Sequence, residues 1–231
     1  MKIFISYPPI FNASGSRAMI PQNRNIQYFE KPNYLLSITY AQAATWLKNL
    51  GFDAFWDDGS AQNLDEKTWY DRLLKNKPDV IVFESTTPVM KFYWSLVDKI
   101  KKSLPNIIVI FSGYHSMRRP EETFSNSNAD IVLLGSNVDF ILKDLIPYID
   151  SHTNWRLTCD TPNVMIRMNE KDFRKTGTYR QIEKLDHSPD IDRDLVSWKN
   201  YAYENGNFLL TPGTYATSAI RDCTFGKCTL N

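Results

Sequence analysis

The stretch Pro105-Asn106-Ile107-Ile108-Val109-Ile110-Phe111-Ser112-Gly113-Tyr114-His115-Ser116 decides the fold of this chain. The apolar residues Ile107 to Phe111 follow a proline and run without alternation into Ser112 and Gly113. A short unalternating run rich in β-branched residues suits a strand buried on both faces, as parallel-sheet strands are. In an open α/β sheet, ligands bind outside the carboxyl ends of the strands. Gly113 allows backbone to come close to a ligand there, and Tyr114, His115 and Ser116 bring polar groups to the same place. The same residues also suit an ordinary strand-to-helix turn.

Outward from this run the pattern repeats. Towards the N-terminus, Lys2 to Ser6 reads as a strand closed by Tyr7-Pro8-Pro9, since proline cannot continue a ladder. Asn12 to Pro32 is a polar loop. Asn33 to Asn49 carries Leu36, Tyr40, Ala43, Ala44 and Leu47 at helical steps, with Gly51 placed as a C-cap. Phe52 to Trp56 is a strand ending in Asp57-Asp58-Gly59, and Leu64 to Lys75 a second helix. Val80 to Phe83 is another buried strand, leaving through Glu84-Ser85-Thr86-Thr87-Pro88, and Phe92 to Ser103 is helical. Beyond the opening stretch, Pro120-Glu121-Glu122 starts a helix, with proline and acids in its first turn. Asp130 to Leu134 is a strand leaving through Gly135-Ser136, and Val138 to Ile149 a closing helix. This strand–helix alternation predicts a Rossmann-like, doubly wound α/β domain with a five-stranded parallel sheet over residues 1–150.

Composition bounds the function. The chain has 231 residues, 42% of them hydrophobic, enough to bury a core. A formal charge of +1 argues against a nucleic-acid partner held by a broad basic surface. No apolar run approaches the ~20 residues of a membrane span, and Met1-Lys2-Ile3-Phe4-Ile5 reads as a strand rather than a signal peptide, so a cytoplasmic protein without a membrane partner is expected.

From residue 151 the pattern weakens into a linker, 151–210, in which Val164 to Met168 reads as one strand of a small hairpin. Ile182 to Leu195 reads as an extended segment pinned by a few apolar residues. Strand character returns at Thr211 to Ile220, just before Cys223-Thr224-Phe225-Gly226-Lys227-Cys228. Paired cysteines outside a secreted disulfide pattern point to a metal or redox site, the alternative being two unrelated thiols. The pair Asp57-Asp58 reads as a helix entrance or a solvated turn, and Trp46, Trp69 and Trp94 read as core. His152 and His187 read as solvated.

The ordered set of these pieces resembles the N-terminal part of a cobalamin-dependent radical S-adenosylmethionine enzyme. The matching residues are Pro8-Pro9 after the first strand, Leu50-Gly51-Phe52 before the second, Thr86-Thr87-Pro88 after the third and Ser112-Gly113-Tyr114-His115 after the fourth. Leu185-Asp186-His187-Ser188-Pro189-Asp190 resembles the family's acidic linker signature, and Thr217 to Cys223 its strand into a cluster loop. The resemblance implies cobalamin on the carboxyl edge of the sheet, contacted by Pro8, Pro9, Thr86, Thr87, Ser112, Gly113, Tyr114, His115, Gly135 and Ser136. Thr86, Thr87 and Ser112 would hydrogen-bond the nucleotide tail and Gly113 would give it room. No histidine follows the first strand, which implies a cobalt lower face without histidine ligation, and His115 is read as a loop residue.

Residues 211–231 would then begin a radical domain, with Cys223 and Cys228 holding a 4Fe-4S cluster that acts on S-adenosylmethionine. A complete homologue would abstract hydrogen from its substrate, whose identity the sequence does not reveal, and often transfer a methyl group. The family's usual motif has three cysteines; here four residues separate Cys223 from Cys228 and Asn231 stands where a third would fall. Gly135-Ser136-Asn137 also lacks the family's glycine–glutamate pair. With no barrel in this chain, the expectation is a truncated, catalytically incomplete form. The alternative is a non-catalytic flavodoxin-like module for cobalamin or a nucleotide.

Overall fold

Strand β1 (Lys2–Tyr7) lies between two parallel partners, β2 (Asp53–Asp58) and β3 (Val80–Glu84). From β3 the sheet grows in parallel through β4 (Ile108–Ser112) to β5 (Ile131–Leu133). The computed structural model describes residues 1–20, 28–29, 34–178 and 185–202. Its parallel order, β2-β1-β3-β4-β5, reverses direction between β1 and β3. Such a reversal opens a crevice at the carboxyl ends of those strands, where doubly wound folds bind ligands.

The inner parallel strands are largely apolar because both of their faces are covered, whereas β2, at the edge of the sheet, begins and ends in aspartates. Ile3, Phe4, Val80 to Phe83, Val109 to Phe111 and Ile131 to Leu133 are all buried. Helices α1 (Ile38–Asn49) and α6 (Val138–Ser151) pack together, while α2 (Glu66–Asn76) meets α3 (Met90–Ser103) through Tyr70 Oη, which donates to Lys99 O at 3.0 Å. Tyr40 of α1 reaches Ser112, whereas Tyr93 of α3 packs against Phe83, with ring centroids 5.0 Å apart. Ser112 is in register with Glu84, so alternation along β3 puts Phe83 on the opposite face. The two helix pairs therefore cover opposite faces.

α1 begins at Ile38 rather than at Asn33: Ser37 before it is extended and makes no side-chain cap bond. α2 begins after Asp65, whose carboxylate accepts from Thr68 N at 2.6 Å. Gly51, with φ +90°, follows α1 as expected. Two short helices, α4 (Tyr114–Arg118) and α5 (Pro120–Asn126), follow β4, so Tyr114, His115 and Ser116 start a helix instead of a loop.

Beyond α6, the short helix α7 (Trp155–Thr158) leads to the hairpin β6 (Val164–Arg167) and β7 (Phe173–Lys175). The hairpin pairs antiparallel with β5 and makes the sheet seven-stranded and mostly parallel, two strands beyond the expected five. The segment after residue 185 is not merely pinned. Asp192 N donates to Thr45 Oγ1 at 3.0 Å, Lys48 pairs with the Asp192 carboxylate, and Val196 is fully buried. The segment ends in α8 (Lys199–Ala202). His152 is exposed, with its ring stacked on Tyr148 at 4.0 Å. The expected strand at 211–220 and both Cys223 and Cys228 lie outside the described residues.

A candidate ligand-binding edge

One register line crosses the carboxyl edge. Asp58 of β2 pairs with Tyr7 of β1, and Glu84 of β3 pairs with Ser112 of β4. The line is closed between β1 and β3 by Tyr7 Oη, which donates to Glu84 Oε2 at 2.7 Å. Tyr40 Oη lies 2.6 Å from Ser112 Oγ at one end, and Tyr201 Oη donates to Asp58 Oδ2 at 2.6 Å at the other. Burial raises the Asp58 carboxyl to about 6 and the Glu84 carboxyl to about 7. It also drives the phenols of Tyr7, Tyr40 and Tyr93 well above their ordinary range.

Asp57, one residue earlier, points to the other face. It accepts from Trp69 Nε1 at 2.6 Å and Ser6 Oγ at 2.5 Å, and forms an ion pair with Arg72. Neither aspartate is a solvated turn or a helix entrance: they are the last two residues of β2, both buried. Their opposite directions also keep them from acting as a paired-carboxylate metal site. Among the described residues, no group of three or more His, Cys, Asp or Glu side chains is placed to hold a metal.

Between β3 and β4 the structure brings several expected residues together. Ser85 Oγ donates to Ser112 O at 2.6 Å and lies 2.7 Å from Ser116 Oγ, and His115 Nδ1 lies 3.1 Å from Thr87 Oγ1. His115 Nε2 and Thr86 Oγ1 are buried without a hydrogen-bond partner, although Nε2 lies 3.8 Å from Glu122 Oε2. Burial lowers the His115 pKa, which favours the neutral imidazole. Ser112 Oγ is turned inward, donating to Phe83 O at 3.1 Å, and Tyr114 is exposed. Gly113 has φ +91°, and the space where a Cβ would stand is filled by the backbone of Ser85. The packing against Ser85 therefore excludes a side chain at Gly113.

The other expected residues lie elsewhere. Pro8 and Pro9 are buried under the turn after β2: Ser60 Oγ donates to Pro8 O at 3.2 Å, and Pro9 Cδ sits 2.9 Å from a Cβ built on Gly59. Gly135 packs against Ile141 and Asn163, beyond β5, and Ser136 is exposed. The sequence reading missed the row Asp58–Tyr7–Glu84; an acid closing the apolar run Val80 to Phe83 is the signal that marks it.

The fold is similar to part of cobalamin-dependent radical S-adenosylmethionine enzymes. One is the radical S-adenosylmethionine methyltransferase TsrM from Kitasatospora setae with cobalamin and a [4Fe-4S] cluster bound, at TM-score 0.53 and 13% identity, covering 82% of this chain and 31% of that one. The same enzyme with tryptophan substrate and the analogue aza-SAM gives 0.54 at 13% identity, covering 76% and 29%. The cobalamin-dependent S-adenosylmethionine radical enzyme OxsB in its apo form gives 0.57 at 11% identity, covering 83% and 24%. This chain therefore spans under a third of the length of the proteins it matches. No protein-family model matches the sequence, and no curated protein does.

Proposed function

We propose that this chain is the cobalamin-binding module of a radical S-adenosylmethionine enzyme. The observation that carries the reading is the carboxyl edge of a β2-β1-β3-β4-β5 sheet, where the order reverses between β1 and β3 and Thr86, Thr87 and His115 stand at the exits of β3 and β4. Doubly wound folds bind ligands at such an edge. The carboxamide rim and nucleotide tail of cobalamin would meet hydroxyl and imidazole groups there. The fold's similarity to TsrM and OxsB, one solved with cobalamin bound and the other with aqua-cobalamin, supports the same ligand.

In this reading Thr86, Thr87 and His115 hold the polar parts of the ligand and the neutral imidazole faces it without ligating cobalt. Bound cobalamin supplies a cobalt centre able to carry a methyl group. Cys223 and Cys228 serve a 4Fe-4S cluster that acts with S-adenosylmethionine, and the barrel that completes the chemistry and takes the small-molecule substrate is supplied beyond this chain. A cytoplasmic setting suits such a cluster, and among the described residues no helix is long and apolar enough to cross a membrane.

The test is an ultraviolet-visible titration of the purified chain with hydroxocobalamin, with the variant Thr86→Val/His115→Ala as control. Saturable spectral change in the wild type that weakens at least tenfold in the folded variant is the expected result. Absence of binding by the folded wild-type chain defeats the proposal.

A further inference from the structure

Within the register line, Glu84 stands apart. It lies at the β1/β3 crevice and is only partly buried, whereas Asp58 and Tyr7 beside it are almost wholly enclosed. Its surroundings are built for a carboxyl. Tyr7 donates to Oε2, and the nearby Ser37 hydroxyl also favours the charged form of Glu84. Ser37 is the N-cap of α1, yet its side chain makes no cap bond. A serine there ordinarily satisfies a backbone N–H of the first turn, and here its hydroxyl instead faces Glu84 and Tyr7. The phenol of Tyr93, fully buried and without a hydrogen-bond partner, interacts electrostatically with both Glu84 and Asp58. The titratable groups facing Glu84 are thus Tyr7 from β1, Asp58 from β2, Tyr40 from α1 and Tyr93 from α3.

We propose that Glu84 makes ligand binding at this edge dependent on protonation: the ligand is held over the neutral carboxyl and is disfavoured by the carboxylate. The inference rests on the reading that the edge takes cobalamin. A ligand laid across the crevice removes the water that still reaches Glu84. Loss of water penalises the charged form, and Tyr7 and Ser37 offer hydroxyls rather than a cation to offset it. The neutral acid, in contrast, has a proton to donate to a carboxamide oxygen of the ligand. Binding therefore takes up a proton, and affinity falls as pH rises. Burial already raises this carboxyl to about 7, so the fall belongs in the neutral range.

The experiment is equilibrium dialysis of cyanocobalamin against the full chain from about pH 5.5 to about pH 8.5, because a single coupled proton limits the change to about tenfold per unit. Wild type is expected to weaken by up to tenfold per pH unit above the folded value of about 7. Glu84→Gln, a neutral isostere, is expected to bind with one affinity throughout. Tyr7→Phe keeps the carboxyl but removes a bond that favours its charged form, so its transition is expected to move to higher pH. A pH-independent wild type, a Gln variant that keeps the wild-type profile, or a Phe variant whose transition stays in place or moves down would each overturn the inference while leaving cobalamin binding standing. Absence of binding at every pH by folded wild type would instead remove the cobalamin reading, and this inference with it.

Discussion

Gly113 and Ser85 meet backbone to backbone: a Cβ on Gly113 would lie 2.5 Å from Ser85 O and 2.7 Å from Ser85 N. Ser85 N itself donates to Ser112 O at 2.8 Å, so the contact is part of the β3–β4 junction and cannot open without breaking it. Gly113→Ala is expected to cost about 3 kcal/mol or more, combining a left-handed backbone with a clash against main chain. Gly15 has φ +81° but open space at its Cβ position, so Gly15→Ala should cost only about 1 kcal/mol. Urea unfolding of the two variants at neutral pH measures the difference, and equal costs would contradict the geometry.

Asp57 joins β1, β2 and α2 through Ser6, Trp69 and Arg72. Asp57→Ala leaves the Arg72 guanidinium and the Trp69 indole N–H without their acceptor in a buried setting. The expected loss is about 3–5 kcal/mol, the range for breaking one side of a buried ion pair. Thermal unfolding checks it, and a loss below about 1 kcal/mol, as for an exposed pair, would show that the pair is solvated instead.

The Asp58 carboxyl rises from an ordinary 3.8 to about 6 on folding, so the folded chain holds that proton more tightly than the unfolded chain. Its stabilisation is complete below the unfolded value and is lost as pH rises through the folded value, by about 3 kcal/mol at ~1.4 kcal/mol per unit. Glu84 acts in the same direction, up to about 7. Asp192, held low by Lys48, acts in the opposite direction and loses its stabilisation as pH falls. Denaturation midpoints at about pH 5 and about pH 7.5 should therefore fall with pH more steeply in wild type than in Asp58→Asn. Parallel profiles would show that Asp58 titrates normally.

Tyr201 Oη receives the indole proton of Trp56 at 2.8 Å and donates to Asp58 at 2.6 Å, which ties the end of the described chain to β2. Tyr201→Phe leaves a buried indole N–H and a buried carboxyl without that partner, at a cost of about 1–3 kcal/mol. Amide exchange should rise mainly in residues 192–202, because their other anchors, Thr45 and Lys48, sit on α1. Faster exchange spread evenly over β1 to β5 would mean that the segment is not a separate unit.

The parallel sheet was legible because its strands advertise their burial: Val80 to Phe83 and Ile107 to Phe111 are apolar whichever face they turn. Phe173-Arg174-Lys175 gave no such signal. That strand exists because Phe173 stacks on Phe124 at 4.6 Å and Arg174 donates to the carbonyls of Arg156 and Cys159, contacts that only the folded chain brings together. At the edge, the rule of strand exits pointed to Thr86, Thr87, Gly113 and His115, but it gave no sign that the backbone of Ser85 fills the space where a Gly113 side chain would stand. Asp57 and Asp58 looked like a solvated turn because their partners, Arg72 on α2 and Tyr201 on α8, are distant in sequence. Glu84 escaped notice because its meaning depends on Tyr7 and Ser37 lying across the crevice.

The opposite directions of Asp57 and Asp58 have a consequence for folding. Among the described residues β2 is an outer strand, paired in the sheet only with β1, where a shift in pairing meets the least resistance. Moving it by one residue would turn Asp57 away from Arg72 and Trp69 and drive Asp58 into the layer they occupy, while Trp56 and its indole proton would leave Tyr201. A slip by one residue either way leaves one partner without its acid: Gly59 would replace Asp58 beside Tyr201, or Trp56 would replace Asp57 beside Arg72. The adjacent acids thus tie β2 to one alignment through partners on both faces of the sheet.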